Sequence, residues 1–161
     1  MMLTIGYAGG TWDLFHVGHL AFLEACRDRC DHLIVGVVDD ESIPRWKGGR
    51  RAVIPYAARA RIVGALRCVD KVVSHRLVNK VVPADMAACL RQPDKGAPRN
   101  SVPYCPELAD YVEKFGITVF FHGDDHEPSE YAFYDVPLVM LPYSSHDSTT
   151  AIIARIREGK V

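Results

Sequence analysis

The sequence has no long apolar run. Nothing in it approaches the ~18 consecutive residues a membrane-spanning helix needs, and the first residues carry no basic segment leading into a hydrophobic one. No membrane partner is therefore expected, and a cytoplasmic protein is the default expectation. A surplus of charge is missing as well: 19 Lys and Arg against 20 Asp and Glu leave a formal net charge of -1. Such a chain has no global attraction for nucleic acid, so any phosphate binding must come from a local cluster of cations. The five cysteines, Cys26, Cys30, Cys68, Cys89 and Cys105, include no C-x-x-C pair. Neither a disulfide framework nor a zinc knuckle is indicated, and they read as reduced, mostly buried thiols. Internal repeats and low-complexity segments are absent too. What remains is the composition of an ordinary globular domain: 161 residues, 48% hydrophobic and 24% charged. That is enough for one sizeable core, so a single domain over residues 1–161 is expected.

Apolar periodicity supplies the elements. Leu3 to Ala8 reads as a short buried strand, and Val17, Leu20, Leu23, Ala25 and Cys26 recur at helical spacing within a helix over Val17 to Arg29. His32 to Val38 is a nearly continuous apolar run ending in Asp39-Asp40, as expected of a strand covered on both faces. Strand, helix and strand in so few residues make a βαβ unit. From Glu41 to Ala52 no apolar period is visible, and a mobile basic loop is expected there. Pro55 suits the first turn of a helix to Leu66, with Ile62, Val63 and Leu66 inward and Arg59 and Arg61 at polar positions. Val69 to Ser74 is a third strand. His75 to Pro106 reads as an irregular insertion with a short helix near Ala84 to Leu90. A helix over Pro106 to Lys114 capped by Gly116, strands at Ile117 to Phe121 and Val136 to Leu141, and a helix over Ser148 to Arg157 with Asp147 or Ser148 as N-cap complete the chain.

This alternation predicts an α/β fold, a single Rossmann-like doubly wound domain with a mainly parallel five-stranded sheet. Ligands of such folds lie beyond the carboxyl ends of the strands. The stretch Gly10-Thr11-Trp12-Asp13-Leu14-Phe15-His16-Val17-Gly18-His19 falls at the first of those ends, where a strand turns into a helix. Free backbone N–H groups and the positive end of the helix dipole favour an anion there, and Gly9 and Gly10 let the main chain approach it. His16 and His19 are three apart, which puts both imidazoles on one face as two donors over one anion. Lys47, Arg50 and Arg51 fit either a solvated turn or a set of cations closing over phosphates. Arg67 and Asp70 fit a mutual ion pair or a ligand role. His122, Asp124, Asp125 and His126 fit Mg²⁺-phosphate or substrate contact better than a closed zinc site.

Gly10-Thr11-Trp12-Asp13 with His16-Val17-Gly18-His19 and Leu23 resembles the G-T-F-D-x-x-H-x-G-H-x-x-x-L block of the H-x-G-H nucleotidyltransferase superfamily. More narrowly, it is similar to the glycerol-3-phosphate and ethanolamine-phosphate cytidylyltransferases. Arg67-Cys68-Val69-Asp70-Lys71-Val72 resembles that group's R-Y-V-D-E-V, Gly123-Asp124-Asp125 its G-D-D, and Ser148-Thr149-Thr150 the end of its R-T-E-G-I-S-T-T. The resemblance implies transfer of CMP from CTP to a small phosphorylated alcohol or phosphonate, with release of pyrophosphate and formation of a CDP-linked product. It implies that His16, His19 and Lys47 are catalytic, through charge stabilisation rather than a nucleophilic side chain. Gly10, Thr11, Trp12, Asp13, Gly18, Asp39, Arg50, Arg67, Gly123, Asp124, Ser148, Thr149 and Thr150 would bind the nucleotide, and Lys47, Asp125 and His126 the acceptor. Mg²⁺ is implied as a cofactor held by the nucleotide phosphates with no direct protein ligand, and a homodimer is implied as the assembly.

Two departures qualify that picture. Tyr143 stands where the pattern has the Arg of R-T-E-G-I, and His126 stands where Trp often follows G-D-D. They keep two alternatives open: an ATP-dependent adenylyltransferase acting on a sugar phosphate or cofactor precursor, and a nucleotide-binding protein without catalysis.

Overall fold

A computed structural model describes residues 2–46, 49–81, 101–124, 131–143 and 149–159. Five strands, β1 (Ile5–Gly10), β2 (His32–Val38), β3 (Lys71–His75), β6 (Val119–Gly123) and β7 (Leu138–Leu141), form a sheet of order β3-β2-β1-β6-β7. All four of its pairings are parallel. The helices are α1 (Val17–Arg27), the short α2 (Ile43–Trp46), α3 (Tyr56–Gly64), α4 (Leu108–Phe115) and α5 (Thr149–Arg157). The α/β fold class and the parallel five-stranded sheet are as the periodicity predicts.

The sheet is parallel because both of its faces are apolar. β2 is the clearest case: every residue from Leu33 to Val38 is buried. Its alternate side chains feed two cores, Leu33, Val35 and Val37 with Phe22, Leu23, Val63 and Phe121 on one side, and Ile34 and Val38 with Tyr7, Leu108 and Phe120 on the other. Chain direction across the sheet reverses between β1 and β6, since β2 and β3 lie to one side and β6 and β7 to the other. A crevice therefore opens at the carboxyl ends of β1 and β6, beside Gly10 and Gly123.

Several expectations require correction. β1 runs to Gly10, so Gly9 and Gly10 are strand residues and the turn begins at Thr11. Residues 41–52 are not a plain loop, because α2 forms within them. Its start is fixed by Asp39, whose carboxylate accepts from Ser42 N (2.7 Å) and Ser42 Oγ (3.0 Å). Pro55 is the N-cap of α3 rather than its first helical residue. Within α3 the inward and outward assignments are partly reversed, since Arg59 is fully buried and Ile62 is 39% exposed. The 75–106 region contains regular structure: β4 (Val78–Val81) pairs antiparallel with β5 (Ser101–Tyr104). Lys80 holds that ladder to the rest of the chain, its Nζ 4.2 Å from the ring centres of both Tyr104 and Phe133. The predicted helix near Ala84 to Leu90 and the N-cap at Asp147 or Ser148 lie outside the described residues.

The four cysteines described, Cys26, Cys30, Cys68 and Cys105, are all free as expected, with Cys26 and Cys105 buried and Cys30 and Cys68 half-buried. Burial keeps them protonated; that of Cys105, with the Glu107 charge beside it, pushes the thiol up to about 12. Among the described residues, no helix is long and apolar enough to cross a membrane.

Candidate functional site

The turn after β1 is built from an unusual backbone and a bulky anchor. Trp12 and Leu14 both have positive φ, 54° and 45°, a conformation that costs a non-glycine residue about 1 kcal/mol or more and persists only where surroundings hold it. The anchor is the Trp12 indole. It is 4% exposed, its Nε1–H donates to Gly36 O of β2 at 2.9 Å, and it sits edge-on to the His19 ring at 5.4 Å. Gly10 is required by that packing, since a Cβ there would lie 2.7 Å from the indole. The glycine thus serves the tryptophan.

His16 is the N-cap of α1, in extended conformation, and its Nδ1 accepts from Gly18 N at 3.2 Å. A ring nitrogen that accepts carries no proton, so the imidazole proton sits on Nε2 and that atom is a donor. The His19 ring stacks on it, centroids 3.8 Å apart and planes 28° from parallel. The spacing of three residues therefore does place both imidazoles together. Gly18 contributes its N–H to this cap and is buried within α1.

The crevice holds a cleft of about 310 Å³. Gly10, Thr11, Trp12, Asp13 and His19 line it from the first turn, Arg50 and Arg51 from the basic segment, His122 and Gly123 from the end of β6, and Tyr143, Thr149 and Thr150 from the last part of the chain. Four separate segments thus converge as expected, although their roles divide. Both oxygens of the buried Asp13 are occupied, accepting from Val53 N (2.8 Å) and Ile54 N (2.9 Å). Its backbone carbonyl accepts from Thr149 Oγ1 at 2.9 Å. Asp13 is the knot that ties the basic segment and the start of α5 to the first turn. Asp124 acts similarly, its Oδ1 accepting from Tyr143 N at 2.9 Å. Tyr143 then turns its ring toward His19 (6.1 Å) and Phe22 (6.2 Å). An aromatic wall occupies the place where the resembling pattern puts an arginine.

Of the described residues expected to bind the nucleotide, Gly18, Asp39, Arg67 and Asp124 do not line the cleft, and neither does His16. Asp39 does not line the cleft; its carboxylate is engaged by Ser42, whose hydroxyl also bridges to Leu77 O at 3.1 Å. Arg67 is exposed and precedes β3, at the amino-terminal edge of the sheet and away from the cleft. It is not the partner of Asp70, which pairs with Arg27 and accepts from Leu33 N at 2.7 Å. Lys47, Asp125, His126 and Ser148 lie outside the described residues.

His122, expected with Asp124, Asp125 and His126 to meet phosphate or substrate, is 7% exposed at the cleft wall, its Nδ1–H donating to Gly123 O at 2.8 Å. Two further groups were not among the site residues expected from the sequence. The first, behind His122, is a buried polar pair, Tyr7 Oη and His75 Nδ1 at 2.6 Å, beside Tyr131, whose hydroxyl accepts from Gly9 N at 3.0 Å. Burial depresses the His75 pKa to about 4, with Asp39 pulling it up and His122 pushing it down. The second is Arg59, which donates to Thr11 O, Val38 O, Ile54 O and Asp40 Oδ1. One signal was available: Arg59 lies four residues before the apolar Val63 and so shares its face of α3.

No group of three His, Cys, Asp or Glu side chains among the described residues is placed to hold a metal ion.

The family described as Cytidylyltransferase-like matches residues 7–155. The chain is 35% identical over 163 residues to the bifunctional protein HldE of Hyphomonas neptunium, covering 98% of this chain and 28% of the relative. It is 34% identical over 167 residues to the HldE of Streptomyces coelicolor, covering 97% and 29%. The chain thus spans under a third of the length of these relatives. Among solved structures, the lipopolysaccharide core biosynthesis protein from Thermoplasma volcanium shares the fold at a TM-score of 0.61 and 15% identity, covering 89% of this chain and 100% of that one. A putative nicotinate-nucleotide adenylyltransferase from Vibrio parahaemolyticus does so at 0.52 and 15%, covering 98% and 89%.

Proposed function

Because the chain belongs to the cytidylyltransferase-like family of nucleotidyltransferases, we propose that its cleft joins a nucleoside monophosphate, taken from a triphosphate, to a small phosphorylated acceptor, releasing pyrophosphate. The observation that carries this reading is His19, which lines the crevice together with Arg50, Arg51, Thr149 and Thr150 and is stacked on His16 just behind it at the start of α1. An acceptor oxygen attacks the α-phosphorus while the bond to pyrophosphate breaks, and negative charge grows on the leaving oxygens. What the site must supply is donors and cations placed where that charge develops. His16 Nε2–H and His19 serve as fixed donors, Arg50 and Arg51, with Lys47 beside them in sequence, as cations that follow the moving charge, and the start of α5 as a phosphate seat. Mg²⁺ belongs to this reading as an ion brought by the triphosphate, where it offsets phosphate charge. A homodimer, implied by the resemblance, is tested by sedimentation.

ATP is the donor this reading favours, in place of the CTP that the sequence resemblance implies. Tyr143 removes the charge-assisted contact of the cytidylyltransferase pattern and offers an aromatic wall instead. Solved proteins of the same fold are titled an adenylyltransferase and a pantoate-β-alanine ligase complexed with β,γ-ATP. A sugar phosphate is the favoured acceptor, supported by the neighbour titled for lipopolysaccharide core biosynthesis. The deciding assay is pyrophosphate release over ATP, CTP, GTP and UTP, each with sugar 1-phosphates, glycerol 3-phosphate and ethanolamine phosphate in Mg²⁺. Turnover with ATP is expected. Turnover with CTP alone returns the cytidylyl reading, and nucleotide binding without any turnover leaves a non-catalytic binder.

A further inference from the structure

We infer that Arg59 is a positioning residue for the triphosphate site, a buried clamp that holds the two walls of the cleft at a fixed separation without touching the ligand. The inference rests on the nucleotide-binding reading above for its ligand, and on hydrogen bonds within the chain for its geometry.

Arg59 lies one turn into α3, and side chains on a helix lean back toward its amino terminus. That direction carries the guanidinium under the turn after β1. The side chain is 0% exposed. An arginine has five N–H donors in a rigid planar fork, and four of them are placed: Nε on Ile54 O at 2.8 Å, Nη1 on Thr11 O at 2.5 Å and Val38 O at 2.8 Å, and Nη2 on Asp40 Oδ1 at 2.5 Å. Three of these acceptors belong to different segments: the first turn, the end of β2, and the segment that carries Arg50 to Val53 along the cleft. Asp13 joins the first and third of those segments from the opposite direction, through Val53 N and Ile54 N. Ile54 is thus held by its carbonyl from Arg59 and by its N–H from Asp13, so the basic segment has little freedom to slide relative to Thr11.

Asp40 completes the clamp. Burial opposes ionisation of its carboxyl, but the Tyr56 N–H and the Arg59 guanidinium outweigh that effect and hold it below the usual carboxylate value. A buried cation is strongly disfavoured unless it is paired and hydrogen-bonded, and this one has three carbonyls as well as a carboxylate. Lysine, with one compact ammonium, has no planar fork with which to reach three segments at once.

Arg59→Met, Arg59→Lys and, as a matched control, Val63→Ala on the same face of the same helix test the assignment. Val63 is 0% exposed in the core between α3 and the sheet and does not line the cleft. Two readouts are taken on the full chain: ATP affinity in Mg²⁺ by calorimetry, and hydrogen exchange at the Val53 and Ile54 amides. Arg59→Met is expected to weaken ATP binding at least tenfold and to speed exchange at both amides at least tenfold, with Arg59→Lys intermediate. Val63→Ala is expected to lower Tm while leaving ATP affinity and both amides within twofold of the parent. Parent-like exchange in Arg59→Met, or in Arg59→Lys should the methionine variant not fold, overturns the assignment. So does Val63→Ala with losses equal to those of Arg59→Met. A parent protein that binds no nucleoside triphosphate overturns the functional reading instead, and the exchange measurements still decide whether Arg59 clamps the two walls.

Discussion

Acidification should destabilise this protein through one histidine. His75 is 1% exposed at the end of β3, and its pKa is depressed from 6.5 to about 4, chiefly because burial disfavours the imidazolium. Between these two values the unfolded chain binds a proton that the folded chain refuses. The sign follows directly: this contribution to stability is complete above pH 6.5, is lost as pH falls, and levels off below pH 4, where the folded ring is also protonated. A difference of about 2.5 in pKa, at about 1.4 kcal/mol for each, comes to about 3 kcal/mol. His75→Gln keeps a polar partner for Tyr7 Oη and removes the titration. Urea denaturation followed by tryptophan emission, from pH 7.5 to 4, yields the stability of each protein. Wild type should lose about 3 kcal/mol more than His75→Gln across that range. Asp39 and His122, the two ionisable groups acting on the ring, are present in both and cancel in the difference. Parallel pH profiles would refute the reasoning, because they would mean the ring takes up its proton without unfolding.

Three further outcomes are expected. His16→Ala and His19→Ala should each lower kcat by at least ~100-fold in the pyrophosphate-release assay, the effect of losing one donor to developing charge; undiminished rates in both variants would remove the histidines from the chemistry. Trp12→Phe should cost about 1–3 kcal/mol in urea denaturation, since Gly36 O loses its indole donor inside the core, and a loss under about 0.5 kcal/mol would show that the strained turn does not depend on that anchor. Gly36→Ala would set a Cβ 2.0 Å from Tyr7 Oη and 2.8 Å from its Cζ on a central strand. The expected drop is about 2–3 kcal/mol, or roughly 5–10 °C in Tm by calorimetry, and an unchanged Tm would contradict that close contact.

The legible parts of the sequence were those governed by local repetition. His32 to Val38 has one interpretation, because six successive apolar residues cannot be half-solvated. The proximity of His16 and His19 was legible from their spacing of three, although His16 is the extended N-cap of α1 and not a residue of its first turn, and Gly116, with φ of 65°, ends α4 as the residue type predicts. Arg59 was not legible for the opposite reason. A charged residue read along the chain is given to solvent, whereas Arg59 spends its charge on the Asp40 carboxylate and on carbonyls as distant in sequence as Thr11, and Asp13, which lines the cleft, also holds the Val53 and Ile54 N–H groups. The β4–β5 ladder escaped notice because its two strands are four residues each and Val78–Val81 alternates only weakly between half-buried and exposed positions.

By itself, the sequence determined the class of fold, the order of the strand ends that meet at the crevice, and the motif from Gly10 to His19, since periodicity and cap chemistry act over a few residues. The tertiary structure decided which charges face the cleft and which hold it together. That division depends on burial and on distant carbonyls, which no local pattern encodes. It moved Asp39 and Arg67 away from the cleft, gave Asp13 and Asp124 bonds that fasten its walls, placed Tyr143 against His19, and buried Arg59 beneath Thr11, where a cation is tolerated because three carbonyls and the Asp40 carboxylate are brought to it.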